Sequence, residues 1–373
     1  MVVRVSWDQA LAWRMSRQLL DPVGQLPVED VVRRLCGVQA QVASSAELAI
    51  RVRQRSSQPG EVGRALADGR LIKTWAMRGT LHLLASGEAG AFLSLMAAGR
   101  TWERPSWQRY FGMPVEAWDR LRPVVREALE DGPLSRDELV AAIVARPGLD
   151  HLGEALRAGW GTLLKPLAWQ GDLCFGPSRG ARVTFMRPEA ASPLWSGIPD
   201  SDEAGPAVIA AYLAGYGPAT ADNFHNWLAR GWIGARRARA WFAALGDRVV
   251  EIDVEGERRL GLAGDLDELV RATSTTAIRL LPGFDQYVLG PGTDETHVIP
   301  AARRTTVSKQ SGWIAPTVVS NGVVAGTWEL VDDEVRVGWF REAARPRAAS
   351  LEDAVAGYAA IADRALRSVV TFI

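Results

Sequence analysis

Apolar residues recur at helical spacing in three successive segments between residues 114 and 170. The second segment begins with Ser135 and has Glu138 three residues later, the pattern of a capping box. Two β-type runs follow, DLCF and RVTFM, and the segment GPSRGA between them predicts a tight hairpin. The order helix, helix, helix, hairpin is typical of a winged helix.

The same order is predicted twice more. Near residue 206, AVIAAYLAGY, TADNFHNWLA and ARRARAWFAAL predict three helices, with Thr220 capping the second, and VVEIDVEGERRLGLA alternates about an EGE turn as a hairpin does. At the N-terminus, SWDQALAWRMSRQLL, VEDVVRRLCG and SAELAIRVRQR predict helices, and a further short helix precedes a strand pair in LIKTWAMRGTLHLL. We interpret this region as a diverged third copy.

Beyond residue 280 the pattern changes to β-runs broken by Gly and Pro, such as YVLGPG and the long stretch around SNGV, a strong hairpin signal. A last helix is predicted over residues 350–370. The chain is therefore predicted to be α+β: winged-helix domains at 1–115, 116–200 and 201–280, then a C-terminal β-barrel with a terminal helix at 281–373.

Composition narrows the class of protein. The 373 residues are 47% hydrophobic and 23% charged, which indicates a globular chain of several domains. We find neither a secretory leader nor an apolar stretch long enough to span a bilayer, so we expect a cytoplasmic, nucleoid-associated protein. Cys36, Cys174 and four scattered histidines offer no metal-ligand spacing. We expect no metal and no cofactor.

The charge pattern leaves the partner open. The formal net charge is zero, which argues weakly against a polyanion. Nearly all the basic residues are Arg, with Lys only at positions 73, 165 and 309, and Arg binds phosphate bidentately. A GC-rich genome that prefers Arg codons explains the same bias. Winged helices bind nucleic acid in many proteins and serve as packing modules in others.

Two glutamines, Gln39 and Gln41, stand one residue apart in GVQAQVASSAE. Gly37 is typical of the left-handed position after a helix, and Ser44 with Glu47 predicts the capping box of the next helix. Between them the chain is predicted to be extended, so both amides project to one side while the intervening Val and Ala residues face the core. The alternative is a pair of glutamines that bind nearby backbone at a turn.

A second alternating run, MRGTLHLL, places Arg78, Thr80 and His82 on one face of a predicted strand. With Trp75 they are predicted to line a polar cleft. An equally good interpretation is that the Arg has a structural role and that the His is buried with its hydrogen bonds satisfied.

The segments GVQAQ, WAMRGTLHLL, YLAGYGPATADNFHNWL, LLPGFDQYVLG and SNGVVAGTWEL, in this order over nearly the whole chain, resemble the tandem winged-helix family of bacterial DNA glycosylases. That family includes an azinomycin-resistance enzyme that unhooks interstrand crosslinks. The resemblance implies three winged helices, a β-barrel and a Gln-x-Gln catalytic pair at Gln39 and Gln41. Known members of this branch act on bulky N7-alkylated guanines.

Such a substrate makes neutral amides sufficient for catalysis. An N7-alkylguanine already carries a positive charge and leaves readily, so the enzyme needs only to hold a water and supply dipoles to the transition state. The resemblance thus implies a monofunctional glycosylase acting in repair or antibiotic self-resistance. We expect it to act as a monomer on alkylated double-stranded DNA.

Candidate DNA contacts are arginines of the predicted wing, third helix and barrel. The segment AARRTTVSKQ follows a turn-rich stretch and is predicted to form a hairpin that reaches into a groove. The candidates are Arg179, Arg182, Arg236, Arg237, Arg303, Arg304 and Lys309. Each is also plausible as a solvated surface charge. The alternative function is a non-catalytic winged-helix DNA-binding protein or regulator.

Overall fold

The computed structural model describes residues 3–158 and 161–373 and has a mixed α+β fold, as predicted. Its helices are α1 (Trp7–Arg17), α2 (Val28–Arg34), α3 (Ala43–Arg51), α4 (Glu61–Ala67), α5 (Ser86–Ala97), α6 (Pro105–Phe111), α7 (Val115–Ala128), α8 (Arg136–Val144), α9 (Gly153–Arg157), α10 (Leu164–Trp169), α11 (Pro188–Ala191), α12 (Ser201–Tyr216), α13 (Ala221–Ala229), α14 (Ala235–Ala243), α15 (Leu266–Arg271), α16 (Gln286–Leu289), α17 (Arg304–Val307) and α18 (Ala348–Ala362).

The strands are β1 (Val3–Val5), β2 (Val38–Gln39), β3 (Leu71–Trp75), β4 (Leu81–Ala85), β5 (Leu134–Ser135), β6 (Cys174–Arg179), β7 (Arg182–Met186), β8 (Val249–Val254), β9 (Glu257–Leu262), β10 (Ile278–Leu281), β11 (Thr317–Ser320), β12 (Val323–Val331), β13 (Glu334–Trp339) and β14 (Arg367–Phe372).

Internal contacts divide the chain into two compact units, each built from separate stretches of sequence. The first comprises Met1–Glu61, Ile209–Trp227 and Ala243–Ile373, and the second comprises Val62–Val208 and Leu228–Phe242.

In the first unit, α1 begins with a capping box between Ser6 and Gln9. The predicted hairpin β8–β9 is confirmed, and β1 pairs parallel with β8. A second sheet has the order β10-β11-β12-β13-β14. Its SNGV turn is confirmed: Asn321 and Gly322 have φ of 52° and 80°, the two positive values that a type I′ turn requires.

Two predictions for this region are wrong. YVLGPG was predicted to be β, but α16 forms there because the carboxylate of Asp285 accepts the Tyr287 amide and caps the helix. The terminal helix stops at Ala362, where Asp363 adopts a left-handed φ of 51°. The β-branched run that follows forms β14, parallel to β13, so the last regular element is a strand.

In the second unit, strands β4, β3, β6, β7 and β5 pair in that order. The capping box of α8 is confirmed: the Ser135 hydroxyl accepts the Glu138 amide and the Glu138 carboxylate accepts the Ser135 amide. The hairpin β6–β7 is also confirmed, with its turn at Gly180.

The third predicted helix of this region is divided into α9 and α10. Gly159 and Trp160, which fall inside the prediction, lie outside the described residues. The ψ angle of Ala158 lies in the extended region, and Gly161 has a φ of 62°. A Cβ at Gly161 would stand 2.5 Å from the Trp75 ring, so this position needs glycine for both conformation and space.

Candidate active site

The segment that carries the two glutamines starts where α2 ends. The amide of Gly37 donates to the Val32 carbonyl at 2.9 Å and that of Cys36 to the Arg33 carbonyl at 3.0 Å. This is a Schellman closure. Cys36, with φ of 53°, takes the left-handed position predicted for Gly37, which follows with φ of 101°.

From Val38 to Val42 the chain forms a connector, the name we use for these residues below. Val38 and Gln39 form β2, and Val42 has extended angles of −116° and 111°. Val38 and Ala40 are buried, and Val42 packs against the apolar core, as predicted. Gln39 is 7% exposed whereas Gln41 is exposed. One amide therefore lies in protein and the other is open to solvent.

The predicted capping box at the start of α3 is wrong. The helix begins at Ala43, one residue before the predicted cap Ser44, and its N-cap Val42 has no side-chain oxygen to offer. The Glu47 carboxylate does not form the predicted capping hydrogen bond; it accepts the amide of Gly60 at 2.7 Å. A loop contact thus takes the place of the cap.

The N-terminal side of the connector is anchored by Tyr216. Its phenol donates to the Leu35 carbonyl at 2.6 Å, and burial raises the pKa of Tyr216 well above its ordinary value. A Cβ at Gly215 would stand 2.9 Å from the Arg34 carbonyl. The end of α12 therefore packs directly on the end of α2, just before the connector.

The C-terminal side is anchored by an ion pair that the sequence analysis did not identify. The Arg53 guanidinium donates to both carboxylate oxygens of Asp285 at 2.7 and 2.8 Å, and neither side chain is exposed. Arg53 also donates to the carbonyls of Ala49, in α3, and Gln18. The only sequence signal was a single acid inside the apolar run LLPGFDQYVLG.

The four pocket candidates, Trp75, Arg78, Thr80 and His82, belong to the second unit. The prediction that Arg78 shares a strand face with Thr80 and His82 is wrong. Arg78 has φ of 57° and lies with Gly79 in the turn between β3 and β4, so the alternation begins only at β4. The Thr80 hydroxyl donates to the Met77 carbonyl within this turn.

His82 is fully buried in β4. Its Nδ1 lies 3.0 Å from the Thr80 carbonyl, and burial, with the nearby charge of Arg78, lowers the pKa of His82 to about 3. The ring is neutral at physiological pH. Trp75 is also buried, edge-on to Phe175. These observations favour structural roles for Trp75 and His82.

Arg179 and Arg182 flank the turn of the hairpin β6–β7. Arg179 pairs with the Glu138 carboxylate at 3.0 Å, and Arg182 is exposed. On α14, Arg237 donates to the Ala98 carbonyl at 3.0 Å, and Arg236 is exposed.

The basic segment after residue 300 is a helical turn followed by a short hairpin. Arg303 and Arg304 lie in the helical part, contrary to prediction, and Lys309 starts the hairpin, where its amide donates to the Trp313 carbonyl. Arg303 pairs with Glu342 at 2.7 and 2.8 Å and lowers the pKa of that carboxyl to about 2. The side chains of Arg304 and Lys309 are exposed.

Within residues 3–158 and 161–373, no group of His, Cys, Asp or Glu is placed to hold a metal ion. Over the same described residues, no helix combines the length and apolarity needed to cross a bilayer. Cys36 and Cys174 are both buried, and they are not joined in a disulfide.

The sequence of this chain matches that of a known class of enzyme. The family model for AlkZ-like DNA glycosylases matches residues 32–361 of this chain, which include the connector and both of its anchors. The chain belongs to the AlkZ-like DNA glycosylase family, so it is an enzyme of the DNA glycosylase class. The family resemblance stated from the sequence is confirmed.

A curated relative is the "interstrand DNA cross-link repair glycosylase" of Streptomyces sahachiroi, 47% identical over 344 residues that cover 92% of this chain and 93% of the relative. The solved structure of the DNA glycosylase AlkZ from Streptomyces sahachiroi matches with a TM-score of 0.96 at 45% identity. That match covers 99% of this chain and 100% of the solved one.

Proposed function

We propose that this protein hydrolyses the N-glycosidic bond of N7-alkylguanine in double-stranded DNA. The observation that carries the proposal is the connector, a short strand that bends at Gln41, with one buried and one exposed glutamine, fixed at Leu35 on one side and Ala49 on the other. Because both ends of the connector are tied to the protein core, its two side-chain amides can orient a small reactant.

In the proposed reaction, the oxygen of a water attacks C1′ of the nucleotide while the bond from C1′ to N9 of the base breaks. The electrons of that bond neutralise the cationic N7-alkylguanine, which leaves as a neutral base, and the water loses a proton to solvent. The side-chain carbonyls of Gln39 and Gln41 accept hydrogen bonds from the water and place it. A glutamine does not titrate near neutrality, so neither side chain acts as a general base.

We further propose that the recurring helix, helix, helix, hairpin order represents three winged helices at 1–115, 116–200 and 201–280. The sheet β10–β14 would then be the core of a small barrel at 281–373. Support comes from the hairpins β3–β4, β6–β7 and β8–β9, each preceded by helices. A winged helix presents its third helix and wing to duplex DNA.

Among the basic candidates, exposure favours phosphate contacts by Arg182, Arg236, Arg304 and Lys309. Arg179 and Arg303 have carboxylate partners, so DNA would have to compete with Glu138 and Glu342 for them. Each phosphate contact should reduce the salt slope of binding by about one when its residue is replaced by Ala.

The name of the Streptomyces sahachiroi relative extends the proposal to interstrand crosslinks. We propose that this protein also releases crosslinked or bulky N7-guanine adducts, in repair or in self-resistance to an alkylating natural product. Such lesions do not fit a snug pocket after base flipping, so we expect recognition from the groove side.

The test is release of the damaged base. A duplex with one N7-methylguanine is incubated with wild type, with Gln39→Ala, and with Gln58→Ala as a matched control at an exposed glutamine. An abasic-site endonuclease then converts each abasic site to a strand break and leaves DNA with intact N7-methylguanine uncut. We expect breaks with wild type and Gln58→Ala and almost none with Gln39→Ala. Binding without breaks in wild type would favour the non-catalytic DNA-binding alternative.

A further inference from the structure

A cavity of about 520 Å³ lies in the first unit, between the first turns of α3, the sheet β10–β14 and α18. Its walls include Ser44, Ser45, Leu48, Trp328, Tyr358 and Ile361. A volume of this size is in the range that accommodates small organic ligands. The reaction proposed above does not use it.

The chemistry of the walls suits a flat, largely apolar guest. The rings of Trp328 and Tyr358 meet edge to face with centroids 4.9 Å apart. The Trp328 indole already donates to the Leu281 carbonyl at 2.8 Å, so this ring is fixed. Ser44 and Ser45 add hydroxyls on the opposite wall. A planar aromatic group with a few hydrogen-bonding atoms would find both kinds of contact here.

The cavity continues along α3. A second cavity of about 440 Å³ shares Arg51, Tyr358 and Ile361 with the first and extends to Arg279 and Asp353. We call the two cavities together the α3–α18 groove. Its lining carries charged residues of both signs, which are Arg51, Arg55, Arg279, Glu47 and Asp353.

The groove starts next to the connector. Ser44 follows Gln41 by three residues, so their Cα atoms cannot be more than roughly 11 Å apart. Neither glutamine lines the groove, so a substituent on N7 of a guanine held at Gln39 and Gln41 has to extend across that separation to reach it. A methyl group is too small to do so.

We propose that the α3–α18 groove binds the non-base part of a bulky N7-guanine adduct and makes the enzyme favour such adducts over N7-methylguanine. This inference rests on the proposed function, since it assumes that the damaged guanine lies at the connector. Tyr358 and Ser45 are the specificity-determining positions, because Tyr358 supplies an aromatic wall and Ser45 lines the groove from the first turn of α3, which directly follows the connector.

The test compares two duplexes. One contains a single N7-methylguanine, and the other a single guanine alkylated at N7 by a phenyl-bearing nitrogen mustard. Tyr358→Ala should lower kcat/KM for the mustard adduct about tenfold and leave that for N7-methylguanine nearly unchanged. Ser45→Trp, which fills the groove, should have the same selective effect. Tyr358→Phe keeps the ring and should behave as wild type.

The control is Glu352→Ala, an exposed position of α18, which should change neither rate. An equal loss on both duplexes in Tyr358→Ala and Ser45→Trp, or no loss on either, would overturn the inference. The ratio of the two duplex affinities is measured separately, and Tyr358→Ala should remove the preference for the mustard adduct. If wild type releases neither base, the proposed function fails. Separately, an affinity ratio that Tyr358→Ala leaves unchanged would overturn the proposed role of the groove.

Discussion

The connector at Val38–Val42 and the stretch Met77–Leu83 both place polar residues at a spacing of two, but their backbones differ. The connector is extended at Val38–Gln39, bends at Gln41 and Val42, and is anchored through Leu35 on one side and Ala49 on the other. In the second stretch, the left-handed turn at Arg78 interrupts the alternation, and His82 is sealed inside a sheet as a neutral ring. Alternation of residue types predicts a shared face only where the backbone stays extended.

The largest effect is expected at the ion pair that anchors the connector. Asp285→Asn leaves the Arg53 charge buried without a counter-charge and should reduce the free energy of unfolding by about 3–5 kcal/mol. Chemical denaturation followed by tryptophan fluorescence measures this. Arg179→Ala, which breaks the exposed pair with Glu138, is the control and should cost no more than about 1 kcal/mol. Equal losses would mean that Asp285 is not a special anchor.

The next largest effect is expected on the rate of base release, which should fall when the connector is changed and not when Met77–Leu83 is changed. Gln39→Ala should lower the single-turnover rate of N7-methylguanine release by about 100-fold or more, the usual cost of removing a positioned dipole. His82→Gln, in the other stretch, should leave that rate nearly unchanged because the ring is buried and neutral. A large loss in His82→Gln with an unchanged melting temperature would assign the chemistry to the second stretch instead.

A smaller effect is expected from the other anchor. Tyr216→Phe removes the donor to the Leu35 carbonyl and leaves that buried oxygen unsatisfied, at a cost of about 1–3 kcal/mol in unfolding free energy. The rate of base release should also fall, since the connector loses its N-terminal support. Tyr110→Phe, at an exposed tyrosine, is the matched control. A rate equal to wild type in Tyr216→Phe would show that this anchor stabilises the fold without orienting Gln39.

The effect that is smallest near neutral pH, and that grows only on acidification, concerns the pH dependence of stability. His82 has a pKa of about 3 in the folded protein, against 6.5 for an ordinary histidine side chain, so the unfolded chain takes up a proton first as the pH falls. Stability from this residue is present above pH 6.5 and is lost as the pH falls towards 3. His82→Gln should flatten the decline by roughly 1 kcal/mol per pH unit in that window. The exposed control His151→Gln should not, and identical slopes for wild type and His82→Gln would refute the assignment.

Local patterns predicted much of the fold, but they failed where a distant group intervened. Ser135-x-x-Glu138 and Ser44-x-x-Glu47 have the same form, yet only the Glu138 carboxylate accepts the backbone amide of its N-cap residue. Glu47 accepts the amide of Gly60 instead, a loop contact that no local pattern encodes. The pair of Arg53 with Asp285 joins residues 232 positions apart, so sequence spacing could not reveal it.

The candidate site was predicted in part. The glutamine pair followed from spacing and from the family resemblance; its predicted extended backbone is confirmed at Gln39 but not at Gln41, which lies in a bend, and the catalytic role of the pair stays a prediction. The difference in exposure between Gln39 and Gln41 could not be predicted, because it depends on what the tertiary fold packs over each side chain.

The central claim is that two non-titrating amides position the attacking water for a base that already carries its own charge. The most direct test is the pH profile of N7-methylguanine release, measured as a single-turnover rate at saturating enzyme from about pH 5.5 to about pH 9. We predict a flat profile for wild type and a profile that acquires an ionisation in Gln39→Glu. A wild-type profile that rises or falls through a pKa absent from the uncatalysed release of the same base would contradict the claim, because it would require a titrating acid or base of the enzyme in catalysis.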